Sequence, residues 1–253
     1  MNNNVKIQSL WIGEKLSKLE QLSIQSFLDY GHEYVLYTYN IIKDMPEGAV
    51  LKDANKVIPK KQIFKYKDYD SYAGFADLFR YKLLLEKGGF WVDTDIVCVK
   101  PFKFKTDYLV ASENIKIDNK NAVKVTNCVL KAPPNSKIMD YCYHTASKGN
   151  PQELSWGETG PDLVHQAFIK YKMIDYIAHP DVFCPINWWE WNQYYQSDIE
   201  YQLEEKLRDE SSVSSLYAYH FWNEMWRRNN VDKNGNFAKN SIYEKLKKKH
   251  GIF

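Results

Sequence analysis

The sequence predicts an α/β fold with a central, mostly parallel sheet flanked by helices, and three stretches carry that prediction. Val5 to Ile12, then an apolar face of Leu16, Leu19, Leu22, Ile24 and Phe27, then Glu33 to Tyr39, read as strand, helix, strand. Such an opening requires a parallel pair joined by a crossover helix. From Ala73 to Leu85 the apolar residues recur at three and four with few polar positions, which describes a helix buried on most of its circumference. Phe90-Trp91-Val92 and Ile96-Val97-Cys98-Val99 form a near-continuous apolar strand, interrupted by Asp93-Thr94-Asp95, of the kind covered on both faces.

The first strand ends at Leu10-Trp11, and open α/β sheets gather ligands at the carboxyl ends of their strands. Trp11 therefore has two readings, a ligand platform or a packed side chain. Residues 43 to 70 are lysine-rich, are broken by Pro46, Gly48 and Pro59, and read as a variable excursion. On the buried helix Asp77 and Arg80, three residues apart, share one face, and Gly88-Gly89 supplies the left-handed conformation that commonly ends a helix. Strand alternation points Asp93 and Asp95 the same way. Two neighbouring carboxylates repel, and at least one pKa must rise unless a cation neutralises both; Mn²⁺ or Mg²⁺ suits oxygen ligands of this kind. About one Asp-x-Asp is expected by chance in a chain this long, and Asp68-Tyr69-Asp70 reads as a solvated loop. The Gly-Gly, the apolar flanks and the charged helix upstream single out Asp93 and Asp95.

Ala76-Asp77-Leu78-Phe79-Arg80 followed by Gly88-Gly89-Phe90-Trp91-Val92-Asp93-Thr94-Asp95 resembles the D-x-x-R…GG-x-[YW]-x-D-x-D signature of the family-32 sugar-nucleotide glycosyltransferases. Galactosyltransferases of the globotriaosylceramide-synthase type belong to that family, and the catalytic domains of large clostridial toxins carry a similar signature. The resemblance extends from Leu10-Trp11 through Gly160-Pro161 to His220-Phe221-Trp222-Asn223. It implies one GT-A-like domain over residues 1–253 with a basic tail over 240–253, and a retaining, metal-dependent transfer from a UDP-sugar to a glycan or glycolipid acceptor. It also implies site roles: Asp77, Arg80 and Asp95 in catalysis, and Leu10, Trp11, Asp77, Arg80, Trp91, Asp93, Gly160 and Trp222 around the donor. Asp93, Asp95, His220 and Asn223 are the implied ligands of Mn²⁺ or Mg²⁺.

Downstream, Tyr108 to Ser112 and Asn127 to Lys131 read as short strands joined by a polar stretch. Asp162 to Tyr171 reads as a helix with Thr159 as a possible cap, and Glu158 and Asp162 are candidate helpers of the reaction. Trp188-Trp189-Glu190-Trp191 with Tyr194-Tyr195 is an aromatic loop suited either to an acceptor sugar or to a lid. Ile199 to Arg208 reads as a solvated helix. The lysine-rich tail from Tyr243 to His250 reads as a frayed helix, or as a contact with an anionic membrane if the acceptor is lipid-linked.

The bulk properties fit this picture. A formal charge of +2 over 253 residues gives no reason to expect a nucleic-acid partner. Cys98, Cys128, Cys142 and Cys184 contain no C-x-x-C pair, and the spacing favours reduced thiols, although two disulfides are compatible with the count. No stretch is long and apolar enough to span a bilayer, which favours a cytoplasmic enzyme, peripheral to the inner membrane face if the basic tail engages it. Asp93-Thr94-Asp95-Ile96-Val97 also fits the nucleophile motif of haloacid-dehalogenase-type phosphatases, but no downstream acidic pair accompanies it. A non-catalytic carbohydrate-binding protein is the third alternative, and the retained Asp77, Arg80, Asp93, Asp95 and His220 argue against it.

Overall fold

The computed structural model describes residues 5–118, 120–199 and 216–253. Among the described residues eight strands are formed: β1 (Lys6–Trp11), β2 (Glu33–Thr38), β3 (Val50–Asp53), β4 (Gly89–Val92), β5 (Ile96–Cys98), β6 (Leu109–Ile117), β7 (Lys120–Ala132) and β8 (Ala218–His220). The helices are α1 (Lys18–Asp29), α2 (Ala73–Lys87), α3 (Lys137–Ala146), α4 (Leu163–Lys170), α5 (Pro180–Phe183), α6 (Asn223–Arg228) and α7 (Ile242–Lys249). Six strands make the central sheet in the order β3-β2-β1-β4-β7-β6. The run from β3 to β4 is parallel, and β7 lies antiparallel to both neighbours. This is the expected α/β architecture with a mostly parallel sheet.

The opening unit forms as its pattern requires. Ser17 and Glu20 close a capping box at the start of α1, a feature worth about 1 kcal/mol. Leu19, Leu22, Ile24 and Phe27 then bury against β1 and β2, whose registers run from Lys6 opposite Glu33 to Trp11 opposite Thr38. The expected excursion over 43–70 contains an edge strand, β3, that has no buried face and so leaves no apolar alternation to read. Along β4 the side chains alternate between two cores, Phe90 and Val92 joining the α1 side and Trp91 the α2 side. Gly88 and Gly89, at φ 62° and 93°, make the tight turn into β4. A Cβ on Gly88 would come within 2.6 Å of the Pro134 backbone nitrogen.

Three expectations are corrected and the open reading of the aromatic stretch is narrowed. Asp93-Thr94-Asp95 does not sit within one strand: β4 ends at Val92, a turn closes with the Ile96 N–H on the Asp93 carbonyl at 3.1 Å, and β5 leaves to pair with β8. The two short strands near 110 and 130 are the bases of one long β6–β7 hairpin, whose outer half is polar and exposed. The 188–195 stretch is a 3₁₀ segment that buries Trp191 and Tyr194 in the core and leaves Trp188 exposed, so most of this aromatic cluster is packing. The basic tail is an ordered helix, α7, packed on α1 through Ile242, Tyr243 and Leu246. Within it Lys247 is buried on Glu244 and the Gly235 carbonyl, Lys249 reaches the Tyr30 hydroxyl, and His250 pairs with Asp29. The expected helix from Ile199 lies, from residue 200 onward, outside the described residues. Among the described residues no helix is long and apolar enough to cross a membrane.

Candidate active site

Three elements bring two carboxylates and an imidazole together. The turn after β4 carries Asp93 and Asp95, and the antiparallel β5–β8 pair sets His220 opposite Ile96, one residue past Asp95. One potential ligand atom each from Asp93, Asp95 and His220 lies within 4.8 Å of the others. The His220 Nε2 is 3.4 Å from Asp95 Oδ2, which also accepts the Asn223 backbone N–H at 2.7 Å. Convergence comes from the turn rather than from strand alternation.

The electrostatics divide the pair. Burial pushes the Asp93 carboxyl up to about 7, against the pull of Arg80 and with help from the Asp95 charge. Burial acts on Asp95 too, but the His220 charge and the hydrogen bonds from His220 and Asn223 hold it below its ordinary value. For His220, burial opposes the charged form, and the Cys128 and Asp95 charges overcome it and hold the imidazolium well above its usual range. Without a cation, the proton on His220 neutralises the cluster. A divalent ion would take that proton's place, so the donor set of two carboxylates and an imidazole fits Mn²⁺ or Mg²⁺.

Asp77 and Arg80 form the wall beside this cluster. Both are buried on α2, and Arg80 spans three partners: Nη2 donates to Asp93 Oδ1 at 2.9 Å, Nη1 donates to the Asn127 carbonyl at 2.9 Å, and Nη1 lies 3.3 Å from Asp77 Oδ1. The guanidinium packs 5.0 Å from the centre of the Trp91 ring, whose Nε1–H also donates to Asp93 Oδ1 at 2.8 Å. Burial drives the Asp77 carboxyl up, opposed by Arg80 and by hydrogen bonds from Asn127 and Thr159.

The remaining expected residues fall into two groups. Trp91 is almost fully buried and acts through Asp93 and Arg80 instead of facing open space; Leu10 is likewise buried in the α2-side core. Gly160 is buried against Asp77, where a Cβ would stand 2.8 Å from Oδ2, so its part is to leave room for that carboxylate. Thr159 is not a helix cap: α4 begins after a π-turn, and the Thr159 hydroxyl turns to Asp77 at 3.5 Å. Asn223 gives the cluster its backbone N–H, while its amide oxygen accepts from Lys233 at 2.8 Å. Trp222, held at φ 55° with its Nε1–H on the Ile186 carbonyl, packs against the His220 ring with centroids 3.9 Å apart and planes tilted by 39°. Trp11 stays partly open, lining a groove of about 500 Å³ with Lys15, Lys18, Gln21, Asp44 and Lys233. Glu158 and Asp162 are turned to Ser155 and Lys124.

Sequence reasoning missed Asn127, which donates to Asp77 at 2.8 Å, and Lys233, which links Glu20 to Asn223 and so joins the Trp11 groove to Asp95. It also missed Glu113 on β6. This carboxyl lies within reach of the His220 charge, accepts no hydrogen bond among the described residues, and is pushed by burial up to about 7. Only the β6–β7 pairing, which places Glu113 opposite Lys124, brings it to the site. Nothing local in the sequence marks it.

Residues 17–120 match the family model described as a glycosyltransferase sugar-binding region containing a DXD motif, and residues 139–252 match one described as an alpha 1,4-glycosyltransferase conserved region. The chain is 23% identical over 188 residues to a human alpha-1,4-N-acetylglucosaminyltransferase, covering 69% of this chain and 49% of that protein. It is 24% identical over 159 residues to human lactosylceramide 4-alpha-galactosyltransferase, covering 58% and 41%. The chain thus spans about half the length of the curated relatives it matches. Among solved structures it resembles PaToxG glycosyltransferase at a TM-score of 0.48 and 17% identity, covering 98% of this chain and 84% of that one.

Proposed function

We propose, from the premise that this chain belongs to the DXD-containing glycosyltransferases, that it moves a hexose or N-acetylhexosamine from a UDP-sugar to a hydroxyl of a glycan or glycolipid, with retention at the anomeric carbon. The observation that carries the reading is the meeting of Asp93, Asp95 and His220 within 4.8 Å beside a buried Arg80. A divalent cation held by these three side chains would neutralise the diphosphate as it leaves.

The chain's own residues supply the rest. Uracil and ribose suit the Trp11 groove, where the indole stays partly open beside Lys15 and Lys18. The diphosphate then runs past Lys233 toward Asp95. Arg80 holds Asp93 in place and fixes the position of Asp77, and that carboxylate, kept clear by Gly160, is placed to accept hydrogen bonds from donor-sugar hydroxyls. Burial of the wall excludes water from the anomeric carbon, which favours transfer to an acceptor over hydrolysis.

The test is a UDP-release screen of sugar nucleotides with Mn²⁺, first without acceptor and then with simple hexosides, followed by NMR of the product. Release of UDP from one UDP-hexose or UDP-N-acetylhexosamine, giving an α-linked product, is the expected result. Turnover of GDP-mannose alone would refute the donor, labelling of a protein but of no glycan would refute the acceptor, and a β-linked product would refute retention.

A further inference from the structure

Behind the carboxylates lie two thiols that the proposed transfer leaves unused. Cys128 on β7 and Cys184 just after α5 are both buried, with their sulfurs 3.9 Å apart, and the Cys184 sulfur is 3.7 Å from Nδ1 of His220, the ring nitrogen turned away from Asp95. One ligand atom from each of the three residues lies within 4.8 Å of the others. A tetrahedral zinc-type ion takes sulfur at about 2.3 Å and imidazole nitrogen at about 2.0–2.1 Å, which sets ligand-to-ligand edges of roughly 3.6–3.8 Å. The sulfur-to-nitrogen edge of 3.7 Å falls in that range and the sulfur-to-sulfur edge of 3.9 Å lies just above it.

A second observation concerns the same part of the core. The Tyr194 hydroxyl is fully buried and has no hydrogen-bond partner among the described residues, and the Cys184 and Cys128 charges are among those that act on it. A buried hydroxyl without a partner is costly, and an ion at the sulfurs would give it either an electrophile or an ordered ligand to bond. The other two cysteines lack this setting: Cys98 bonds the Lys100 carbonyl and Cys142 packs in the α2-side core.

We propose that Cys128, Cys184 and Nδ1 of His220 form a second metal site, for a thiophilic cation of the Zn²⁺ or Cd²⁺ class. Binding releases two protons to solvent, one from the Cys184 thiol and one from Nδ1 of the His220 imidazolium, and moves no electrons. The ring proton then resides on Nε2, where Asp95 Oδ2 at 3.4 Å accepts it, the arrangement usual for a metal-bound histidine backed by a carboxylate. The site stands on its own geometry. Its consequence rests on the reading of His220 as a ligand of the donor's cation: a neutral imidazole has one free lone pair, so a cation at the sulfurs deprives the carboxylate site of its nitrogen.

The reduced, metal-stripped full chain is titrated with Cd²⁺ in weak buffer without nucleotide. One equivalent should bind with thiolate-to-cadmium charge-transfer absorbance and release two protons, and Zn²⁺ should displace it. Cys128→Ser and Cys184→Ser should each weaken binding by about 100-fold or more, at least what losing an outer partner of a metal ligand costs, while Cys142→Ser and Asp93→Asn keep the band. Because the serine variants disturb a buried site, the cadmium NMR shift of the wild-type protein supplies a separate reading, expected in the range of a two-sulfur, one-nitrogen donor set. No charge-transfer band in the reduced wild-type chain, an all-oxygen cadmium shift, or a band undiminished in both serine variants would overturn the site.

Discussion

Arg80 Nη2 donates to Asp93 Oδ1 at 2.9 Å, and this bond ties helix α2 to the turn that carries both carboxylates. The same guanidinium holds the Asn127 carbonyl of β7 with its other nitrogen, so one planar fork fixes three elements. Lysine has the charge but not the fork. Arg80→Lys should lower kcat/KM by about 100-fold or more through misplacement of Asp93 and Asp77. It should also cost about 3 kcal/mol of stability, because buried carboxylates lose their partner. Steady-state UDP release together with denaturant unfolding checks both; activity within a few-fold of wild type would show that the clamp is dispensable.

Asp95 is the carboxylate whose charge the protein preserves, with His220 and the Asn223 N–H both on it. Asp95→Ala should abolish measurable turnover at a stability cost of about 1–3 kcal/mol, from the stranded Asn223 N–H and the unpaired imidazole. Excess chelator should reproduce the loss of activity in the wild-type chain and Mn²⁺ should reverse it. Full activity in chelator would remove the cation from the mechanism.

The parts of the site that share a short stretch were legible in the sequence, and the parts that depend on long-range pairing were not. Asp77, Arg80, the glycine pair and the two aspartates fall within one helix, turn and strand, where periodicity and positive-φ chemistry act locally. His220 stood out only by resemblance, since its place beside Asp95 comes from a β5–β8 pairing across more than a hundred residues. Asn127, Glu113 and Cys184 reach the site through the long hairpin and the α5 turn, and no periodicity announces them. The break of the Asp-Thr-Asp strand into a turn was hidden as well, because apolar residues on both sides satisfy a buried strand and a turn between two strands equally. Thr159 has the chemistry of a helix cap, and only packing against Asp77 shows that it faces the other way.

Gly160 leaves room for a neighbour. A Cβ there would meet Asp77 Oδ2 at 2.8 Å. Asp77 has little freedom to yield, being held by Asn127 and Arg80. Gly160→Ala should therefore displace the carboxylate, costing about 1–3 kcal/mol of stability and at least about tenfold in kcat/KM. In the Asp77→Ala background the added methyl should cost clearly less stability than in the wild type, and a double-mutant cycle on unfolding free energy measures this. Additive losses in the cycle would place the clash elsewhere.

Glu113 gives the cation-free protein a distinct pH signature. Burial raises its carboxyl from 4.5 to about 7, with His220 and Lys124 opposing, and no hydrogen bond offsets the desolvation. Below pH 4.5 the group is protonated in both folded and unfolded chains and contributes nothing to the difference between them. Between 4.5 and about 7 the unfolded chain releases the proton while the folded chain retains it, so stability falls as pH rises, and the loss is complete above about 7. The raised pKa corresponds to a penalty of up to about 3 kcal/mol at pH 8. Glu113→Gln has nearly the same shape and no charge to bury. It should be more stable than wild type by about 1–3 kcal/mol at pH 8 in chelator, with the gap closing toward pH 4.5. Urea unfolding of both proteins across that range tests it. A gap that is absent at pH 8, or that widens as the pH falls, would mean that Glu113 ionises freely in the folded chain.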